Sequence, residues 1–265
     1  MHFFLAVRPP FAENELDGYL SGGICLAMER SQEAPGVRRG KVRAEMTDYS
    51  QSRRKMVDNQ LRTNDVTDHR ILDAMEAIPR ERFVPASKKA IAYIDEDLPV
   101  GPADCGRVLM KPHIFGKLVQ LAEIREDHVV LVVGAGAGYS AAVLSNLAAS
   151  IVALEENEDL VKSATDVLVD LGIENAVVVD GPLVKGYASE GPYDVIFVDG
   201  AVETLPSVLT DQLKPLGRLV VVEGQGGAGV ARLYQKSGEA VSSRFGFNAA
   251  AGLLPGFAAA EEFVF

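Results

Sequence analysis

From Val129 onward, short unbroken apolar runs alternate with stretches whose apolar residues recur every three or four places. The runs at 129–133, 151–154, 176–179, 195–198 and 219–222 lack the in-and-out alternation of a half-exposed strand. They predict strands of a parallel sheet covered on both faces. Between the second and third runs, Leu160, Ala164, Val167, Leu168 and Leu171 fall on one helical face, and Gly172 follows where a left-handed cap would end the helix. Such βαβ repetition predicts right-handed crossovers and a ligand crevice at the carboxyl ends of the strands. The runs at 230–236 and 240–247, joined through Ser237-Gly238, predict an antiparallel hairpin closing the sheet edge. The fold class expected is doubly wound α/β.

Upstream, residues 52–78 carry two amphipathic segments. Met56, Gln60 and Leu61 share one face; Ile71, Leu72, Met75 and Ile78 share another, with Thr67 placed to cap the second helix and Pro79 to end it. Residues 83–112 are rich in Pro, Gly and Asp and read as irregular, with a short helix at 87–93; a segment of this length is more than a connector. Residues 1–45 show no lasting periodicity and are expected to form a flexible, dispensable extension, with Met46 an alternative start. The domain reading is therefore an extension at 1–45, a helical and loop region at 46–112 and a Rossmann-like domain at 113–265.

A chain of 265 residues, 48% of them hydrophobic, can bury a full core. It contains no apolar run near the roughly 20 residues of a membrane helix, and the opening apolar residues stop at Arg8-Pro9-Pro10 without a basic region before them, so neither a membrane span nor a secretion signal is expected. Cys25 and Cys105 are far apart and match no metal spacing, which fits a reducing cytoplasm and no metal site. The net charge of -11 argues against a nucleic-acid partner, which needs clustered cations; the short basic run at 38–43 reads as a solvated linker.

The first strand runs into Gly134-Ala135-Gly136-Ala137-Gly138-Tyr139 and then a helix holding Val143, Leu144 and Leu147. Glycines there let the backbone turn tightly and approach a ligand beside a helix N-terminus. A dinucleotide fingerprint would place its third glycine where Tyr139 stands, which disfavours a nicotinamide cofactor. Glu155 ends the second strand about 20 residues on, the interval at which an acid meets ribose hydroxyls; a solvated surface glutamate is the alternative. Asp199 ends the fourth strand and reads either as a crevice residue or as the cap of the next helix.

Beyond these features, the blocks at 55–62, 78–85, 92–95, 98–101 and 138–144 occur in order over roughly 52–224 and together resemble the protein-L-isoaspartate O-methyltransferases. The resemblance implies a seven-stranded class I methyltransferase sheet with an N-terminal helical region, S-adenosyl-L-methionine as cofactor, and isoaspartyl residues of damaged proteins as substrate. The candidate cofactor residues are Gly134, Ala135, Gly136, Gly138, Tyr139, Glu155, Asp180, Gly181 and Asp199; His113, directly after Pro112, and Lys111 are the candidates beside the reacting carboxylate, together with Asp199, an ordinary helix-start residue being the alternative for His113. A carboxylate with a pKa near 4 is already ionised at neutral pH, so methyl transfer to it needs alignment rather than a general base.

The sequence departs from the family pattern at several places. The family's Gln-Thr-Ile-Ser-Gln-Pro-like loop corresponds to Arg107-Val108-Leu109-Met110-Lys111-Pro112, an acid before the glycines to Val132, and an aspartate after the third strand to Pro182, with Asp180 nearby. These exchanges predict slow or absent isoaspartyl methylation unless Arg107, Lys111 or His113 turns inward to pair with the substrate carboxylate. A catalytically reduced binding or scaffold protein, and a nicotinamide-dependent oxidoreductase, are the competing functional classes.

Overall fold

A computed structural model describes residues 48–224 and 228–259; the expected extension at 1–45 and Met46 lie outside them. Helix α1 (Ser50–Met56) runs into a π-helical turn at Val57–Leu61 and a 3-10 turn at Arg62–Asn64. The wider i to i+5 turn brings Leu61 over Met56, and both are buried with Val57. Helix α2 (His69–Ala77) is capped by Asp68, whose Oδ1 accepts from the Arg70 amide at 2.9 Å, not by Thr67 as the sequence suggests. Thr67 is turned away: its amide donates to Gln120 Oε1 at 2.7 Å. Pro79 does end α2, since the clash of its ring with the preceding residue holds Ile78 extended at ψ 123°.

The segment expected to be irregular contains 3-10 turns at Arg80–Arg82 and Ala86–Ile91 and a small antiparallel ladder, β1 (Leu98–Pro99) with β2 (Val108–Leu109). Two-residue strands are too short to leave a periodic signature. Helix α3 (Pro112–Ala122) starts with proline, whose fixed φ suits the first helical position. It buries Ile114, Phe115, Leu118, Val119 and Ala122 along one stripe.

The remaining elements are β3 (Val129–Val133), α4 (Tyr139–Leu144), β4 (Ser150–Glu155), α5 (Glu158–Asp170), β5 (Ala176–Asp180), β6 (Tyr193–Val202), α6 (Ser207–Asp211), β7 (Leu213–Glu223), β8 (Val230–Ser237) and β9 (Ala240–Asn248). Nine of these build the predicted alternation and its closing hairpin; α6 is the helix that the capping alternative for Asp199 presupposed, and it begins only at Ser207. The seven-stranded sheet has the order β5-β4-β3-β6-β7-β8-β9. Pairings from β5 through β7 are parallel, and β8 joins both its neighbours antiparallel.

Along β3, Val130 and Val132 face one core with Phe115 and Phe197, while Leu131 and Val133 face a second core with Ile196 and Val198. Burial on both faces is why the runs in β3, β4, β6 and β7 show no polar alternation, and each such side chain contributes about 1.5–3 kcal/mol by leaving water; the run in β5, expected to be covered on both faces, instead forms an edge strand that leaves Val177 51% exposed. Asn157 caps α5 by accepting from the Leu160 amide at 3.1 Å, with Glu158 and Asp159 favourably placed in the first turn. Gly172, at φ +69°, ends the helix as expected. Strand order reverses at β3, whose neighbours β4 and β6 are reached by crossovers in opposite directions. That switch point is where an open α/β sheet leaves a crevice.

Candidate functional site

The three motif glycines adopt positive φ, at 82°, 55° and 93° for Gly134, Gly136 and Gly138, which side-chain-bearing residues rarely tolerate. The turn is stitched to β4: the amides of Gly134 and Ala135 both donate to the Leu154 carbonyl, at 2.9 and 3.0 Å. The Gly136 amide donates to Glu155 Oε2 at 2.7 Å. Gly134, Ala135, Gly136 and Glu155 are thereby assembled at one edge of the sheet, and Gly138 packs on α5, where an added Cβ would lie 3.0 Å from Ala164 Cβ.

Glu155 is fully buried, which overturns the solvated-surface alternative. Its Oε1 accepts from the amides of Glu156 and Asn157 at 3.1 and 3.2 Å. Its Oε2 accepts, besides Gly136, from Arg107 Nε at 3.3 Å. The Arg107 side chain is itself only 3% exposed and its Nη2 donates to the Gly134 carbonyl. Arg107 therefore turns inward, but onto Glu155 and across the glycine turn. Beside this pair opens a cleft of about 590 Å³ whose lining includes Arg107, Glu155, Asn157, Asp180 and Gly181. Asp180 and Glu155 are register partners at the ends of β5 and β4.

Asp199 lies at a bulge in β6 between Phe197 and Ala201. Helix α6 begins only after Pro206, so the capping alternative for Asp199 is ruled out. Although the residue keeps some exposure, burial of its carboxyl pushes the pKa up to about 6 from 3.8, against the opposing pull of the Ser140 hydroxyl, Arg107 and Arg80. A folded pKa above the unfolded one means that folding favours the protonated form. That contribution is complete below about pH 3.8 and is lost as the pH rises through about 6. Asp199→Asn, which cannot ionise, is expected to be more stable than the parent by up to about 3 kcal/mol at pH 7.5, with the difference vanishing near pH 4. Denaturant titrations at the two pH values check this, and a pH-independent difference would contradict it.

Tyr139 stands apart from the other expected cofactor residues. Its ring is wedged in the core against Phe83 and Phe115, with centroids 5.4 and 5.5 Å away, and the Arg80 guanidinium lies 4.9 Å from its centroid. Arg80 is fully buried and ties down the loop before α3: its Nε donates to the Ala92 carbonyl at 2.8 Å and its Nη2 to the Met110 carbonyl at 2.7 Å. Lys111 and His113 stand at the start of α3, outside the lining of the cleft. The Lys111 amide donates to Asp97 at 2.8 Å, and His113 Nδ1 pairs with Asp95 Oδ2 at 2.6 Å. Neither the Arg107–Glu155 pair nor the structural role of Arg80 follows from the sequence: Arg80 sits inside a family-like block, and Arg107 opens the loop that departs from the family pattern. Among the described residues no helix is long and apolar enough to cross a membrane.

Comparison with known proteins shows the family of the chain. Residues 51–246 match the family model described as protein-L-isoaspartate(D-aspartate) O-methyltransferase. The chain is 36% identical over 189 residues to protein-L-isoaspartate O-methyltransferase 2 of Anaeromyxobacter sp. (strain Fw109-5), covering 71% of this chain and 76% of the relative. It is 37% identical over 199 residues to the protein-L-isoaspartate O-methyltransferase of Methylorubrum extorquens (strain PA1), covering 74% and 85%. A solved protein-L-isoaspartate O-methyltransferase superposes with a TM-score of 0.69 at 26% identity, over 77% of this chain and 66% of that one. A Plasmodium falciparum protein solved in complex with S-adenosyl-L-homocysteine shares the fold, with a TM-score of 0.63 at 19% identity over 76% and 97% of the two chains.

Proposed function

Because the chain belongs to the protein-L-isoaspartate(D-aspartate) O-methyltransferase family and is an S-adenosylmethionine-dependent O-methyltransferase, we propose that it esterifies the free carboxylate of isoaspartyl residues in damaged proteins at the sheet edge where Glu155 lines the cleft. The observation that carries this reading is the junction of the glycine turn with the buried Glu155, through the 2.7 Å bond from the Gly136 amide, at the switch point of the sheet.

The residues present suit the cofactor. At Gly136 an added Cβ would lie 3.8 Å from Arg107 Nη2 and 3.9 Å from Val100 Cγ2, so side chains rather than backbone cover the turn there, and an acid capable of holding ribose hydroxyls stands beside it. The cofactor, when bound, supplies a methyl group on a sulfonium. In this reading Glu155 binds the ribose, the glycines allow close approach of the backbone, and Asp180 and Gly181 flank the nucleoside end. The substrate carboxylate arrives ionised and needs orientation and exclusion of water, which can supply on the order of 7–11 kcal/mol. Work in the cytoplasm, on protein substrates rather than nucleic acid, is consistent with the acidic composition and the two well-separated cysteines. Neither a purely binding role nor nicotinamide chemistry finds support among the relatives named above.

The test is transfer of labelled methyl groups to an isoaspartyl peptide, with its normal aspartyl twin as control. Labelling of the first alone is expected; equal labelling of both, or of neither, would sink the proposal. Val108 and Met110 provide no hydroxyl, and Met110 is buried beside the loop clamp. Restoring donors with Val108→Thr and Met110→Ser is expected to raise the rate roughly 10–100-fold, the worth of one hydrogen bond to a charged group. An unchanged or lower rate would show that this loop is no handicap.

A further inference from the structure

Glu155 has two oxygens and about four lone-pair positions. In the structure four donors share them: the amides of Gly136, Glu156 and Asn157, and the Arg107 guanidinium. The carboxylate is saturated before any ligand arrives. Three of those donors belong to the backbone of the turn and of the strand end and cannot leave without unmaking the fold. Arg107 is the exception, reaching in from β1–β2 as a side chain. Its Nη2 also covers the Gly134 carbonyl, and a Cβ added at Gly134 would fall 2.8 Å from that nitrogen, so the guanidinium lies directly over the glycine turn. On the same loop, Val108 and Met110 offer the substrate carboxylate no side-chain donor.

Building on the cofactor assignment above, we infer that Arg107 is an exchange residue: it competes with the cofactor ribose for Glu155, and once displaced it pairs with the carboxylate of the isoaspartyl substrate. The ribose hydroxyls replace the guanidinium on Glu155 as donors, so the acid stays satisfied in both states. The guanidinium keeps an anionic partner too, exchanging a protein carboxylate for a substrate carboxylate, a pairing for which its fork geometry is well suited. Two consequences follow. Cofactor affinity is lowered by the fraction of molecules in which Arg107 holds Glu155. The substrate carboxylate finds its cation only after the cofactor is in place, so binding is ordered.

The decisive measurement is calorimetric titration of the full chain with S-adenosylhomocysteine, and of the parent with an isoaspartyl peptide in the absence and presence of saturating S-adenosylhomocysteine. Arg107→Gln keeps hydrogen-bond donors but removes the charge. It is expected to bind S-adenosylhomocysteine about tenfold more tightly while the KM for the isoaspartyl peptide rises at least tenfold, opposite effects that loss of a merely structural contact would not produce. In the parent, peptide binding is expected only with S-adenosylhomocysteine present, a result that holds whether or not the variant folds. If the variant binds S-adenosylhomocysteine no more tightly, if its peptide KM is unchanged, or if the parent binds peptide equally well without S-adenosylhomocysteine, the exchange role is overturned while the methyltransferase reading stands. If neither protein binds S-adenosylhomocysteine, the cofactor assignment falls and the exchange role with it.

Discussion

Glu155→Ala is expected to abolish measurable S-adenosylhomocysteine binding and to lower stability by about 3–5 kcal/mol, the usual cost of removing one partner from a buried ion pair. The stability loss follows from what is left behind. Arg107, 3% exposed at its side chain, would keep its charge without its carboxylate, and the amides of Gly136, Glu156 and Asn157 would lose their acceptor. The binding loss follows from the same carboxylate, because two hydrogen bonds to a charged group are worth roughly 3–6 kcal/mol, or about 10²–10⁴ in affinity. Urea unfolding and calorimetric titration measure the two effects separately. A variant within 1 kcal/mol of the parent that still binds would remove Glu155 from both roles. Glu155→Gln should fall between, since one amide oxygen can still accept from the turn.

Gly138→Val should produce the second large loss, roughly 2–5 kcal/mol, in two parts. At φ +93° a residue with a Cβ meets backbone strain of about 1–2 kcal/mol. The new Cβ would also sit 3.0 Å from Ala164 Cβ and 3.3 Å from Ala164 Cα in α5, and overpacking of that kind costs about 1–3 kcal/mol. For a domain of this size the sum corresponds to a fall in melting temperature of roughly 4–20 °C. Gly172→Val separates the parts: it shares the positive φ, at 69°, but has nothing within 4 Å of its added Cβ, so it should show the backbone cost alone. Equal melting temperatures for the two variants would mean that contact with α5 is unimportant at Gly138.

What the sequence determined by itself is local and periodic. Val129–Val133 matches its predicted run residue for residue, and the hairpin through Ser237-Gly238 forms as expected, because β-branched runs, positive-φ glycines and apolar spacing act over a few neighbouring residues. The glycine turn and the position of Glu155 at the next strand end were legible for the same reason. What only the tertiary structure decided is which side chains meet. Thr67 lost the cap of α2 to Asp68 because the helix begins at His69, which puts Asp68 and not Thr67 at the capping position, a start held by Gln120, 53 residues away, whose Oε1 accepts from the amides of both. His113, legible only as a candidate beside the substrate, is held by Asp95. Above all, Arg107 reads in sequence as one of three cations that could turn toward a substrate carboxylate, yet it is buried against a glutamate 48 residues further on. A cation can leave water only where an acceptor waits for it, and no stretch of local sequence states whether the fold will bring one there.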